Sequence, residues 1–152
     1  MKLSTKGRYA LVALVDIAFH QDRGLVSITE ISKRQDISIT YLEQLFSKLK
    51  KAGLLASLRG PGGGYKLARA PHLIRIEEIL VAVDEVFDAL TPGAGAKGAA
   101  SGSQEQFLSN RLWEGLSAHI YVFLHRTTLS DVVSEKLLPC PAIPALLELE
   151  DI

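Results

Sequence analysis

The 152-residue chain contains one cysteine, which excludes an intramolecular disulfide framework. It contains no apolar run approaching the roughly 18 residues needed to cross a bilayer. The N-terminal stretch MKLSTKGRYALVALVDIAF has an apolar centre like that of a signal peptide, but Asp16 interrupts it and no small-residue cleavage site follows. The expectation is therefore a first helix in a cytoplasmic protein without a membrane segment. No nucleophile or acid–base pair stands out, no metal motif is dense enough to suggest catalysis, and no repeat is visible. An enzyme is not expected. A net charge is also lacking, since 17 Lys and Arg balance 17 Asp and Glu.

That zero hides an asymmetry. Residues 1–70 hold 12 Lys and Arg against 5 Asp and Glu, a balance of +7, and residues 71–152 hold 5 against 12, a balance of −7. A basic half is the electrostatic footprint of phosphate-backbone binding. A module that only bound protein would have no reason to concentrate cations in one half.

What is present centres on SITYLEQLFSKLKKAGLLASLRGPGGGYKLAR, residues 38–69. Leu42, Leu45, Phe46 and Leu49 form one helical stripe, and Thr40, Glu43, Gln44, Ser47, Lys48 and Lys51 occupy the opposite face. Gly53 suits a helix C-cap. Leu54–Leu58 then reads as a strand, Arg59–Gly64 must turn, and Tyr65–Arg69 alternates as a returning strand. The glycines do not have phosphate-loop spacing, because Tyr65 and a strand follow where Gly-Lys-Ser/Thr and a helix would be required. Upstream, a helix from Ser4 or Thr5 to about His20 is expected to use Tyr9, Ala13 and Ile17, with Val12 and Val15, as its core face. A short helix with Ile31 inward and Lys33 and Arg34 outward precedes the break at Asp36–Ser38. The predicted class is mainly α, a winged helix-turn-helix over residues 1–71.

Downstream, a connecting helix is expected within 72–90, from Ile76, Leu80, Val83 and Phe87. Residues 91–104 read as a flexible Gly/Ala loop. Residues 105–136 read as a long helix and a short one capped by Thr128, and 137–152 as a tail. The long helix carries Leu108, Leu112, Leu116, Ile120 and Phe123 in one stripe, more than a lone helix can bury, and is predicted to pair with its copy in a homodimer.

The predicted DNA contacts follow from these placements. Ser38, Thr40 and Tyr41 lie at the start of the third helix, where hydroxyls and backbone N–H groups favour phosphate. Glu43 and Gln44 lie one turn further, where Gln can bond adenine and Glu can accept from cytosine. Lys48 extends the same face. Arg59, followed by Gly60 at the wing tip, is positioned to enter the minor groove. A solvated helix face would account for the polar residues taken alone; the wing and the charge asymmetry turn the reading toward DNA.

The motifs MKLSTKGRYAL, ISITYLEQLFSKLKKAGL, RGPGGGY, AVDE, Leu112-Trp113 and TLSDVV resemble those of the BadM/IscR-type winged-helix regulators, over residues 1–134. The resemblance implies a homodimer that binds double-stranded DNA and controls genes of iron–sulfur biogenesis and iron homeostasis. It implies bases for Thr40, Glu43 and Gln44, phosphates for Ser38 and Tyr41, and the minor groove for Arg59. It also implies a 2Fe–2S cluster held by three cysteines before the dimerisation helix and a histidine inside it. Here the loop is Gly, Ala and Ser, with Phe107 and Asn110 in the ligand positions. Three readings stand side by side: a cluster-free regulator, natural or cysteine-stripped; an iron–sulfur cluster on Cys140 with His119 and His125, His20 or His72 being alternatives; or haem on Cys140-Pro141. His119 and His125 are six residues apart and cannot chelate as an adjacent pair.

Overall fold

In the computed structural model, described over residues 3–85 and 103–137, the chain forms helices α1 (Thr5–His20), α2 (Ile28–Gln35) and α3 (Ile39–Lys51). The strands β1 (Leu55–Leu58) and β2 (Gly64–Leu67) follow, then α4 (Ile76–Ala82), α5 (Gln104–Arg126) and α6 (Leu129–Val133). Local capping explains several of the boundaries. Ser27 and Glu30 exchange side-chain and backbone hydrogen bonds at the start of α2, and the Ser38 hydroxyl accepts from the Tyr41 amide at 3.2 Å at the start of α3. Thr128 and Asp131 form the same reciprocal box on α6. Between α2 and α3, Asp36 takes a left-handed conformation at φ 53° and turns the chain.

β1 and β2 pair antiparallel, Leu55 opposite Leu67 and Leu58 opposite Gly64. Val26, just before α2, adds a bridge on the other side of β2: its amide donates to the Tyr65 carbonyl at 2.9 Å and its carbonyl accepts from the Tyr65 amide at 2.8 Å. The wing is thereby stitched to the helix-turn-helix. Its tip closes through the Gly63 amide on the Gly60 carbonyl at 2.9 Å. A Cβ on Gly63 would lie 2.3 Å from the Leu58 carbonyl oxygen, so glycine is required there.

One core runs through α1–α4, the strands and α6, with Leu14, Ile17, Ile31, Leu42, Phe46, Leu49, Leu54, Ile79 and Leu129 fully buried. The first 71 residues thus share their core with Ile74, Ile76, Ile79, Leu80, Val83 and Leu129 from beyond the wing. The stretch before α4 pairs with the stretch after α5: the Ile76 amide donates to the Thr127 carbonyl and the Leu129 amide to the Ile74 carbonyl, at 3.0 and 2.8 Å.

Two sequence expectations are corrected here. The buried face of α1 is formed by Ala10, Ala13, Leu14 and Ile17, while Tyr9 is 36% exposed and meets Tyr41 edge-on at 5.7 Å. The face is rotated because α1 packs simultaneously on α4, α6, α2 and β2. The connecting helix is shorter than 72–90, ending at Ala82, where Val83–Glu85 turns with Asp84 at φ 58°. Phe87 and most of the expected Gly/Ala loop lie outside the described residues.

Candidate DNA interface

Helix α3 buries Leu42, Leu45, Phe46 and Leu49 against the core, which leaves the rest of its surface to solvent. Two exposed stripes result. Thr40, Gln44 and Lys48 succeed one another at four-residue steps, and Glu43, Ser47 and Lys51 form the neighbouring stripe. The second stripe faces the wing across an open groove of about 420 Å³ lined by Glu43, Ser47, Lys50, Lys51 and Tyr65. The Lys50 ammonium donates to the Ser57 hydroxyl of β1 at 2.7 Å, and Phe46 meets Tyr65 edge-on at 4.7 Å, so the wing is braced on α3. Arg59 and Gly60 are exposed at the far end of the wing, and Arg59 has no carboxylate partner among the described residues.

The predicted contact residues therefore share one surface, though not on equal terms. Ser38, Thr40, Glu43 and Gln44 are exposed. The Ser38 oxygen accepts the Tyr41 amide in the α3 cap, and its O–H remains to donate. Tyr41 is half-buried against Tyr9, which fixes its ring. Lys48 is held by Asp84, Nζ to Oδ2 at 2.5 Å.

Two polar tethers hold this surface, and sequence reading missed both. The Asp16 side chain, fully buried in α1, accepts two hydrogen bonds from the Arg34 guanidinium at 2.7 and 2.9 Å and one from the Gln35 amide at 2.8 Å. Burial by itself raises the Asp16 pKa. Those hydrogen bonds and the nearby positive charges outweigh burial and hold it below the ordinary carboxylate value. The second tether is Glu85, which accepts from the Ser4 hydroxyl and amide and from the Gly7 amide, capping α1 from a position 78 residues beyond Gly7 in the chain. Ser4 itself makes no side-chain cap. Burial raises the Glu85 pKa too, and the Ser4 and Gly7 hydrogen bonds bring it below normal. The interruption of an apolar helix by Asp16 was the visible trace of the first tether; no local signal marked the second.

The chain matches the family model described as Rrf2, iron-dependent transcriptional regulator, over residues 3–135. It belongs to the Rrf2 family. A Cereibacter sphaeroides protein named HTH-type transcriptional regulator IscR is 63% identical over 99% of both chains. A Vibrio parahaemolyticus protein of the same name is 47% identical over 89% of this chain and 79% of its own. Among solved structures, the global cysteine regulator CymR of B. subtilis superposes with a TM-score of 0.75 at 30% identity, over 89% of this chain and 98% of that one. The T. potens IscR structure superposes at 0.69 with 33% identity, over 95% and 96%. The predicted winged helix is thus this family's fold, and the chain is a DNA-binding transcriptional regulator rather than an enzyme.

Of the expected iron ligands, only the histidines fall within the described residues. Cys140 lies outside the described residues. His119 is exposed on α5, and the His125 Nδ1 is 2.6 Å from the Glu77 carboxylate, with its ring stacked on Tyr121. His20 sits with its Nδ1 on the Asp16 carbonyl at 2.7 Å. Among the described residues no group of three His, Cys, Asp or Glu could hold a metal ion. No described helix is long and apolar enough to cross a membrane.

Proposed function

We propose that this regulator binds double-stranded DNA as a homodimer, controls genes of iron–sulfur cluster biogenesis or iron homeostasis, and works in the cytoplasm. The observation that carries the DNA mode is the continuous exposed surface of Thr40, Gln44 and Lys48, Glu43 and Ser47, and the Arg59 wing tip. Gln44 reads a base edge and Glu43 discriminates at the adjoining pair. Ser38 and Tyr41 position the helix on the backbone, and Arg59 with Gly60 follows the minor groove. The IscR names of the relatives at 63% and 47% identity support the gene class.

Two variants test the docking. Gln44→Ala is expected to lose discrimination at one position per half-site, ~1–3 kcal/mol. Arg59→Ala is expected to weaken binding to all sequences and flatten the salt dependence by about one unit. Operator binding unchanged in both variants would reject this docking.

Iron is the proposed signal, supported by the family description. A 2Fe–2S cluster would need Cys140 with His119 and His125, and His125 would first have to leave Glu77. Iron content and visible spectra of anaerobically purified wild type and Cys140→Ala decide it. A cluster retained without Cys140, or never present, eliminates this ligand set.

A further inference from the structure

Lys48 is the one cation of the proposed DNA-reading stripe that has a carboxylate within 4 Å among the described residues, and that carboxylate comes from outside the helix-turn-helix and wing. Asp84 lies in the turn after α4, 36 residues further along the chain. Its backbone is placed rather than incidental. The Lys6 ammonium donates to its carbonyl at 3.3 Å, its amide donates to Val81, and the next residue, Glu85, is fastened to the α1 N-terminus. The pair is solvent-accessible, with 45% of the Lys48 and 71% of the Asp84 side chain exposed. A pair so exposed adds little to stability and is readily exchanged. A carboxylate on that ammonium occupies it as a DNA phosphate would.

We propose that Asp84 is a built-in competitor for DNA, holding Lys48 away from the phosphate backbone and thereby setting the strength and salt dependence of binding. Asp84 acts as a positioning residue, through Lys48 and not by touching DNA. Its own position follows α4, and α4 is tied to the end of α5 by the Arg75 guanidinium on the His125 carbonyl at 2.5 Å and by the Glu77–His125 pair. The inference rests on the DNA-binding reading above.

The test is a salt titration of the full-length protein on a labelled mixed-sequence duplex, where phosphate contacts dominate whatever the operator is. Asp84→Asn keeps the shape, and asparagine tolerates the left-handed backbone at φ 58°. Releasing Lys48 should tighten binding roughly threefold to tenfold at low salt and steepen the slope of log K against log[salt] by about 0.9. Asp84→Gly, also compatible with that backbone, should do the same. Lys48→Gln should cost more affinity in the Asp84→Asn background than in wild type. An unchanged slope in both Asp84 variants, or an equal cost of Lys48→Gln in the two backgrounds, overturns the competitor role and leaves DNA binding standing. Wild type that binds no duplex overturns both.

Discussion

The 13 residues of α3 bury Leu42, Leu45, Phe46 and Leu49 within a single chain, whereas the 23 residues of α5 bury none. Both helices carry an apolar stripe. On α3 the stripe meets α1, α2 and β1; on α5, Leu108, Leu112, Leu116 and Phe123 remain 42–64% exposed and Ile120 is half-buried. Each large apolar side chain left in water forgoes about 1.5–3 kcal/mol. The difference separates two uses of amphipathicity. The stripe of α3 is consumed in holding outward the polar face proposed to read DNA, and that of α5 is left exposed, where a second copy of the chain is proposed to pack.

The most forceful way to break this contrast is Leu116→Asp. A charge sealed between two α5 helices would cost several kcal/mol, so the variant should sediment as a monomer, keep its helical circular dichroism and bind DNA poorly. A dimer that survives would remove α5 as the interface. The same substitution on the other helix, within the core, would unfold the chain instead, and the contrast between the two outcomes measures how differently the stripes are used.

Asp16→Ala probes the core in which the α3 stripe is buried. It removes three hydrogen bonds to a fully buried carboxylate and should cost about 3 kcal/mol in denaturant unfolding. Because the folded pKa of Asp16 is depressed, its contribution is complete above the ordinary carboxylate value of about 4. It is lost as pH falls through the folded value. The midpoint of wild type should drop below about pH 4, and the drop should be smaller in Asp16→Asn.

The smallest effect sharpens the join between the halves. A Cβ on Gly7 would lie 2.8 Å from the Glu85 Oε2 and 3.0 Å from Leu80. Gly7→Ala should lower stability by about 1 kcal/mol, seen as a reduced melting temperature with the dimer intact. A variant as stable as wild type would show that the Glu85 cap on α1 is dispensable.

The elements that local chemistry governs were legible in the chain. The strands about Leu54–Leu58 and Tyr65–Arg69, the long helix α5 and the cap at Thr128 all follow from periodicity, turn glycines and hydroxyl spacing, which act within a few residues. The exposure of Thr40, Glu43 and Gln44 followed from the same periodicity, since burying Leu42, Leu45, Phe46 and Leu49 leaves those positions outside. Tertiary packing decided the rest. Which face of α1 is buried depended on the elements docking around it, so Tyr9 gave way to Ala10 and Leu14. Asp16 with Arg34, Glu85 with Gly7 and Lys48 with Asp84 join residues 18 to 78 positions apart. Periodicity within one helix carries no information about such partners, because they are chosen by where the helices come to rest.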